Sequence, residues 1–502
     1  MPLPPNQEEL DRLSRRYGFN LSAEKLAEMS QIIAASFAVY DRLDEMADVN
    51  LPVRYPRSEL GYRPVSDDNP LNGWAWKCSI KGASEGKLAG RTVALKDNIS
   101  LAGVPMLNGT VLMEGFVPKE DATVVTRLLD AGAEIVGKTV TPAFCFDGGG
   151  FTTYPAPQPL NPHSPEHLPG ASSGGSAVVV VNGEVDMAVG GDQGGSIRLP
   201  SAWSGCYGLK PTHGLVPYTG AFPIERTLDH LGPMARNVED CAVMLEVIAG
   251  ADGLDPRQIG VRTEDYTDAL NPDLTGFRVG VLEEGFGISG LSEADVDQAV
   301  RDATQALAKS GATVESVSVP MHGDGLVLWS AIAYEGATEC MVNGDSHGSN
   351  WRGHYATDMI DFFGRARRAR GQDFPDTVKL TVLIGEYMRE RYNYHYYAKA
   401  QNLSRGLAEA YNSVLSDFDV LVLPTTAMKP MLRPTGSDLG EYFGAALGNL
   451  YNTAPFDVTG HPAMSVPAGM SEGLPVGMMI VGKHFDDSTV LRVAFAHQEG
   501  AN

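Results

Sequence analysis

The run Gly190-Gly191-Asp192-Gln193-Gly194-Gly195-Ser196-Ile197-Arg198-Leu199-Pro200 sets one serine at the end of a turn that only glycines could make. Consecutive backbone N–H groups in such a turn can face a single point, a geometry suited to an oxyanion when a hydroxyl lies beside it. Upstream, the apolar Val185–Val189 reads as a buried strand feeding the turn. Ser196 is therefore a candidate nucleophile, and serine needs a base to take its proton as it attacks.

The same strand pattern recurs on both sides of the turn. Thr92–Leu95, Ala133–Lys138, Phe277–Leu282, Thr313–Val319, Val420–Leu423 and Val476–Val481 are short apolar runs. Between them lie amphipathic helices: one capped by Asp121 that ends at Gly132, and others beginning at Asn237 and Ser292. This alternation predicts an α/β body, its sheet covered by helices on both faces. Residues 1–85 read as a helical N-terminal extension and 86–502 as the main domain. Within the extension, Asn6 with Glu9 forms a capping pair and Ser22 caps a longer helix. The stripe of Leu26, Met29, Ile33, Phe37, Tyr40 and Leu43 on that helix must pack, on the main body or on a second copy of the chain. Around residues 326–415 the strands stop in favour of an aromatic-rich helical insertion, either a pocket wall or a peripheral cover.

With 502 residues and 43% hydrophobic content, the chain can bury a large core. Its net charge of −23 argues against nucleic acid and acidic membranes as partners. Five cysteines without paired spacing argue against a disulfide framework. The first residues lack a secretory pattern, and no run is apolar for long enough to span a bilayer, so a cytoplasmic location is expected.

Three motif matches fail on context. Gly132–Thr139 fits the phosphate-loop pattern, but a strand occupies the place of its loop. His163-Ser-Pro-Glu166-His167 fits a zinc-protease pattern, but Pro162, Pro165 and Pro169 forbid the helix that would aim both histidines, and no metal is expected. Gly170-Ala-Ser172-Ser-Gly174 fits a nucleophile elbow, but a proline-rich loop precedes it where a strand is required.

Three features remain: Lys96 in Leu95-Lys96-Asp97-Asn98, Ser172 in Gly-Ala-Ser172-Ser173-Gly-Gly-Ser176, and Ser196 in its glycine turn. Their order, together with Gly205–Thr212 and Thr459–Pro467, resembles the amidase signature family. The resemblance runs from about Leu88 to the C-terminus and is strongest to the bacterial amidases that accompany nitrile hydratase. It implies the family's fold, a large mixed sheet between helical layers, and a Ser–cis-Ser–Lys triad that hydrolyses a small-molecule amide through an acyl-enzyme. In that triad Ser196 attacks, Ser172, whose peptide bond to the preceding Ala171 is cis, relays the proton from Ser196, and Lys96 is the base. Backbone N–H groups of Gln193, Gly194, Gly195 and Ser196 would hold the oxyanion. Ser173, Asp192 and Arg198 would support the loop, Asp192 and Arg198 as a buried anchor or as a surface ion pair. Phe146, Gln193 and Trp329 are pocket candidates. No cofactor is implied, and the N-terminal extension would contribute to a homodimer.

Lysine accepts a proton only when neutral, which burial among apolar residues promotes. Asp97 would oppose this if it faced the amine, so its side chain is expected to point away. Cys145 lacks the surroundings of a nitrilase-type nucleophile and reads as a buried thiol, and no histidine stands in a recognisable pairing context. Two other activities of the same triad stay open: glutamine hydrolysis within a tRNA-dependent amidotransferase, as its A subunit, and carbamate or ester hydrolysis.

Overall fold

Three helices lead the chain: α1 (Gln7–Arg16), α2 (Ala23–Ser36) and α3 (Ala38–Glu45). Asn6 and Glu9 close the expected capping box, and the Ser22 side chain accepts from Lys25 N. The single long helix expected from Ser22 is instead two, meeting at Phe37. Of the stripe, Leu26 is buried, but Met29, Tyr40 and Leu43 are exposed, as are Ile32 and Val39 nearby. The computed structural model describes residues 2–155, 157–434 and 438–501. It divides into two units, Met1–Leu51 and Pro52–Asn502.

The boundary expected at residue 85 moves back accordingly. Residues 52–85 carry β1 (Glu59–Tyr62) and β2 (Trp74–Lys81), which are hydrogen-bonded into the sheet of the main unit. Pro52, Pro56 and Pro64 obscure them in the sequence, and the alternation of Trp74, Trp76 and Cys78 is the strand signal behind that punctuation.

The remaining strands are β3 (Thr92–Lys96), β4 (Glu134–Thr139), β5 (Met187–Asp192), β6 (Tyr207–Lys210), β7 (His230–Ala235), β8 (Arg278–Leu282), β9 (Thr313–Val317), β10 (Val420–Pro424), β11 (Ala463–Ser471) and β12 (Leu474–Val481). Together they form one twelve-stranded sheet in the order β1-β2-β4-β3-β5-β7-β6-β11-β12-β10-β8-β9. The sheet is mixed: β4, β3 and β5 run parallel, as do β10, β8 and β9, while the other neighbours are antiparallel. Every residue of β5, β7, β10 and β12 is buried, which requires cover on both faces.

Helices α4 (Thr123–Asp130), α5 (Gly174–Val181), α6 (Arg198–Ser204), α7 (Val238–Ile248) and α8 (Ala294–Leu307) belong to that cover. Asn237 caps α7 as expected, its side chain accepting from Asp240 N. Asp121 does not cap α4. Its carboxylate accepts from Ala102 N and pairs with Arg57, and Ala122 holds the cap position. Ser292 likewise accepts from Ile288 N, and the helix starts two residues later. Residues 326–415 contain no strand. They comprise α9 (Gly325–Ala337), a π-helical turn (Thr338–Asn343), α10 (Thr357–Ala369), α11 (Asp376–Tyr392) and α12 (His395–Leu415).

The register of the parallel strands positions the chemistry. Leu95 of β3 pairs with Val189 of β5, so Lys96 and the glycine turn leave the sheet at the same, C-terminal, end of these strands.

Candidate active site

Lys96 ends β3 with no exposed surface. Its Nζ lies 2.7 Å from Ser172 Oγ and donates to Gly191 O at 3.1 Å. Burial lowers the pKa of this amine, while Cys145 and Asp192 oppose that shift in part. The Asp97 carboxylate points away, as the chemistry demands. Its Oδ1 accepts from Lys138 Nζ at 2.9 Å and its Oδ2 from the Leu107 and Asn108 N–H groups at 3.0 Å.

Ser172 is fully buried, and the Ala171–Ser172 peptide bond is cis. No strand precedes it. The loop runs directly into α5, so the elbow pattern has no structural counterpart. Ser173 joins this loop to the end of β5: its hydroxyl accepts from Gly191 N and donates to Gly191 O, both at 3.1 Å, and its N–H donates to Ser196 O at 3.0 Å. Lys96, Ser172 and the Ser196 loop therefore converge on Gly191 and Ser173.

The glycine turn is anchored by a buried ion cluster. Asp192 Oδ1 accepts from Gly195 N at 2.6 Å and Arg198 Nη2 at 3.0 Å, while Oδ2 accepts from Ile197 N and Arg198 Nε, both at 3.0 Å. Burial alone would push this carboxyl up, but the Arg198 guanidinium outweighs it and holds Asp192 well below the usual carboxylate range. Both side chains have zero exposure, which rules out the surface ion pair. Arg198 also donates to Thr453 O at 2.9 Å and to Asp457 Oδ2 at 2.6 Å. Nothing local in the sequence singles out Thr453 or Asp457, because about 255 residues separate them from Arg198. Only the nearby Thr459–Pro467 stretch draws attention to this part of the chain.

One expected oxyanion donor is lost. Because the Gly195 N–H is taken up by Asp192, only Gln193, Gly194 and Ser196 remain of the expected donors. Gly195 has another reason to be glycine: its φ is +142°, and a Cβ there would lie 2.4 Å from Thr453 Oγ1. The turn's carbonyls are held as well, Gln193 O by Trp329 Nε1 and Gly194 O by Thr453 Oγ1, both at 2.6 Å.

Ser196 opens into a cleft that the pocket candidates Phe146, Gln193 and Trp329 all line, with Ile224, Leu447 and Leu450 among its apolar walls. Trp329 thus has two contacts, one with the cleft and one with the nucleophile loop, which makes α9 of the helical insertion a pocket wall. Cys145, read from sequence as a plain buried thiol, lies in the same cleft, with its thiol donating to Asn108 Oδ1 at 3.4 Å. Among the described residues no histidine is hydrogen-bonded to Ser172 or Ser196. His230, for example, uses Nδ1 on Leu228 O at 2.7 Å.

The phosphate-loop and zinc-protease matches stay outside the site's chemistry. Lys138 of the phosphate-loop match is a fully buried residue of β4. His163 contacts Ser204 O at 3.0 Å and His167 contacts Ser164 Oγ at 2.8 Å, with no helix between them. No helix among the described residues is long and apolar enough to cross a membrane.

Comparison with known proteins points to one family. A family model described as Amidase matches residues 74–491. The chain is 47% identical to an enantioselective amidase of Rhodococcus rhodochrous over 99% of its own length and 96% of the relative's. It is 37% identical to the A subunit of the glutamyl-tRNA(Gln) amidotransferase of Methanosarcina acetivorans, covering 88% of this chain and 93% of that one. Among solved structures, the peptide amidase of Stenotrophomonas maltophilia superposes with a TM-score of 0.67 at 30% identity, covering 82% of this chain and 83% of that one.

Proposed function

This chain belongs to the amidase signature family and hydrolyses amide bonds; we propose that it does so with Ser196 as nucleophile, Ser172 as proton relay and Lys96 as base. The observation that carries this reading is the 2.7 Å contact between Ser172 Oγ and the amine of a completely buried lysine. A neutral Lys96 accepts the Ser172 proton while Ser172 accepts that of Ser196, whose Oγ attacks the carbonyl carbon. The N–H groups of Gln193, Gly194 and Ser196 stabilise the oxyanion. On collapse, the proton returns through Ser172 to the departing nitrogen, ammonia leaves, and an acyl ester remains on Ser196. Water then releases the carboxylate by the same relay. The apolar cleft suits aryl or mid-sized aliphatic amides.

The triad predicts that Ser196→Ala abolishes ammonia release while leaving the far-UV circular dichroism unchanged. Ammonia measured from acetamide, isobutyramide, benzamide, glutamine and a carbamate tests the substrate class. Hydrolysis of glutamine alone, dependent on added partner chains, would favour the amidotransferase reading that the 37% identity to the archaeal amidotransferase chain keeps in play. A homodimer paired through the exposed apolar side chains of α2 and α3 fits the N-terminal unit, and sedimentation reads it directly. Five free cysteines accord with a cytoplasmic setting.

A further inference from the structure

Tyr218 stands behind the nucleophile loop, buried, and its hydroxyl has three polar neighbours. It donates to Phe222 O at 3.3 Å, and it lies 3.2 Å from Asn98 Nδ2 and 3.1 Å from Gln193 Nε2. A phenol has one proton to give. Phe222 O can only accept; with the proton given to it, the hydroxyl receives the NH₂ groups of both amides. Burial raises the pKa of Tyr218 well above its ordinary value, so the proton stays in place throughout the working range. This arrangement turns the two amide oxygens away from the hydroxyl, and Asn98 Oδ1 and Gln193 Oε1 are both buried without a partner.

An unpartnered buried acceptor is costly and calls for an explanation. Gln193 is the member of the pair that lines the cleft beside Ser196. Its Nε2 lies 3.5 Å from where a side chain on Gly191 would begin, next to the carbonyl that holds Lys96. The orphan oxygen thus belongs to a residue of the reaction site and is oriented by a group outside it.

We propose that Gln193 Oε1, oriented by Tyr218, accepts a hydrogen bond from the N–H of the substrate's amide and so makes the site selective for substrates that carry an N–H on the scissile bond. This rests on the proposed Ser196 chemistry and adds the basis of its discrimination. An ester of the same shape places an oxygen lone pair where the amide places its N–H, so two acceptors face each other and neither is satisfied. Gln193 is the specificity residue and Tyr218 its positioning residue.

The experiment compares kcat/KM for benzamide, read as ammonia, with kcat/KM for methyl benzoate, read as benzoate. Gln193→Met, close in shape but without a strong acceptor, should lower the amide-to-ester ratio about 30-fold. Tyr218→Phe, which frees the glutamine amide to turn over, should lower it about five-fold. A structural role alone would depress both substrates together and leave the ratio where it stands in wild type, and an unchanged ratio in both variants overturns the proposal. Should Gln193→Met fail to fold, Tyr218→Phe decides the matter, since it removes a single hydroxyl from the core. Benzamide hydrolysis surviving in Ser196→Ala would instead overturn the triad, a separate result.

Discussion

Lys96 and Lys138 sit on neighbouring parallel strands, both with no exposed surface, and they do opposite things. Lys138 has a carboxylate at 2.9 Å; Lys96 has the Ser172 hydroxyl and the Gly191 carbonyl around it and no carboxylate in contact. The carboxylate in question is Asp97, the residue that follows Lys96 in the chain. Alternation along the strand explains the assignment: Lys96 pairs in register with Thr139, on the side where Thr139 Oγ1 meets Ser176, whereas Asp97 turns to the opposite side with Lys138. One lysine is neutralised by a partner and serves the fold. The other is left without one, and burial works on its proton.

The sharpest way to break this contrast is Lys96→Met. Loss of the base should lower kcat by about 10⁴-fold, while the melting temperature holds or rises, because an unpaired buried amine is removed. In the wild type kcat/KM should climb with pH as Lys96 deprotonates, a limb that Lys96→Met lacks. The linkage runs the same way. With its folded pKa depressed below 10.5, Lys96 binds fewer protons in the folded than in the unfolded chain between those two values. Wild-type stability should therefore gain from this residue as pH rises towards 10.5, and the advantage of Lys96→Met in a denaturant titration should shrink over that window. An advantage that does not vary with pH would remove the depressed pKa from the mechanism.

Lys138→Met tests the other half. It leaves Asp97 as an uncompensated buried charge, so unfolding should become easier by about 3–5 kcal/mol. Activity per folded molecule should fall far less than in Lys96→Met, since Lys138 touches neither serine. If the two variants lose activity alike, the division between a structural and a chemical lysine is wrong.

Much of this division can be read from the chain itself. The glycine turn marks Ser196, a second glycine-flanked serine marks Ser172, and the requirement for a neutral base is enough to turn Asp97 away before any contact is seen. Asp457 and Thr453 are a different case. They complete the Arg198 cluster from some 255 residues away, and no spacing rule connects positions that only the closed sheet brings together. The four backbone donors assigned to the oxyanion lose Gly195 for a related reason: composition shows that the turn is possible but not which N–H an adjacent carboxylate claims. Five strands, β1, β2, β6, β7 and β11, go unread as well. β6 is only four residues long, and His230-Leu-Gly-Pro-Met-Ala235 carries a glycine and a proline inside a fully buried strand, where tertiary burial overrides local preference.

The smallest effect, and the finest test, comes from removing both partners of the structural pair in Lys138→Met/Asp97→Leu. Replacing a buried ion pair with apolar groups of similar size is often close to neutral. Here it should not be, because Asp97 also shapes the backbone. Its Oδ2 accepts the Leu107 and Asn108 N–H groups, at the start of the turn that Thr110 N closes on Leu107 O. Leucine leaves those two donors buried and unmet, so the double variant should recover part of the Lys138→Met loss and remain about 2 kcal/mol below wild type. Full recovery in equilibrium unfolding would mean that Asp97 serves Lys138 alone. A persisting deficit would identify the Asp97 carboxylate as the group that fixes the turn at Leu107 while being kept from the Lys96 amine.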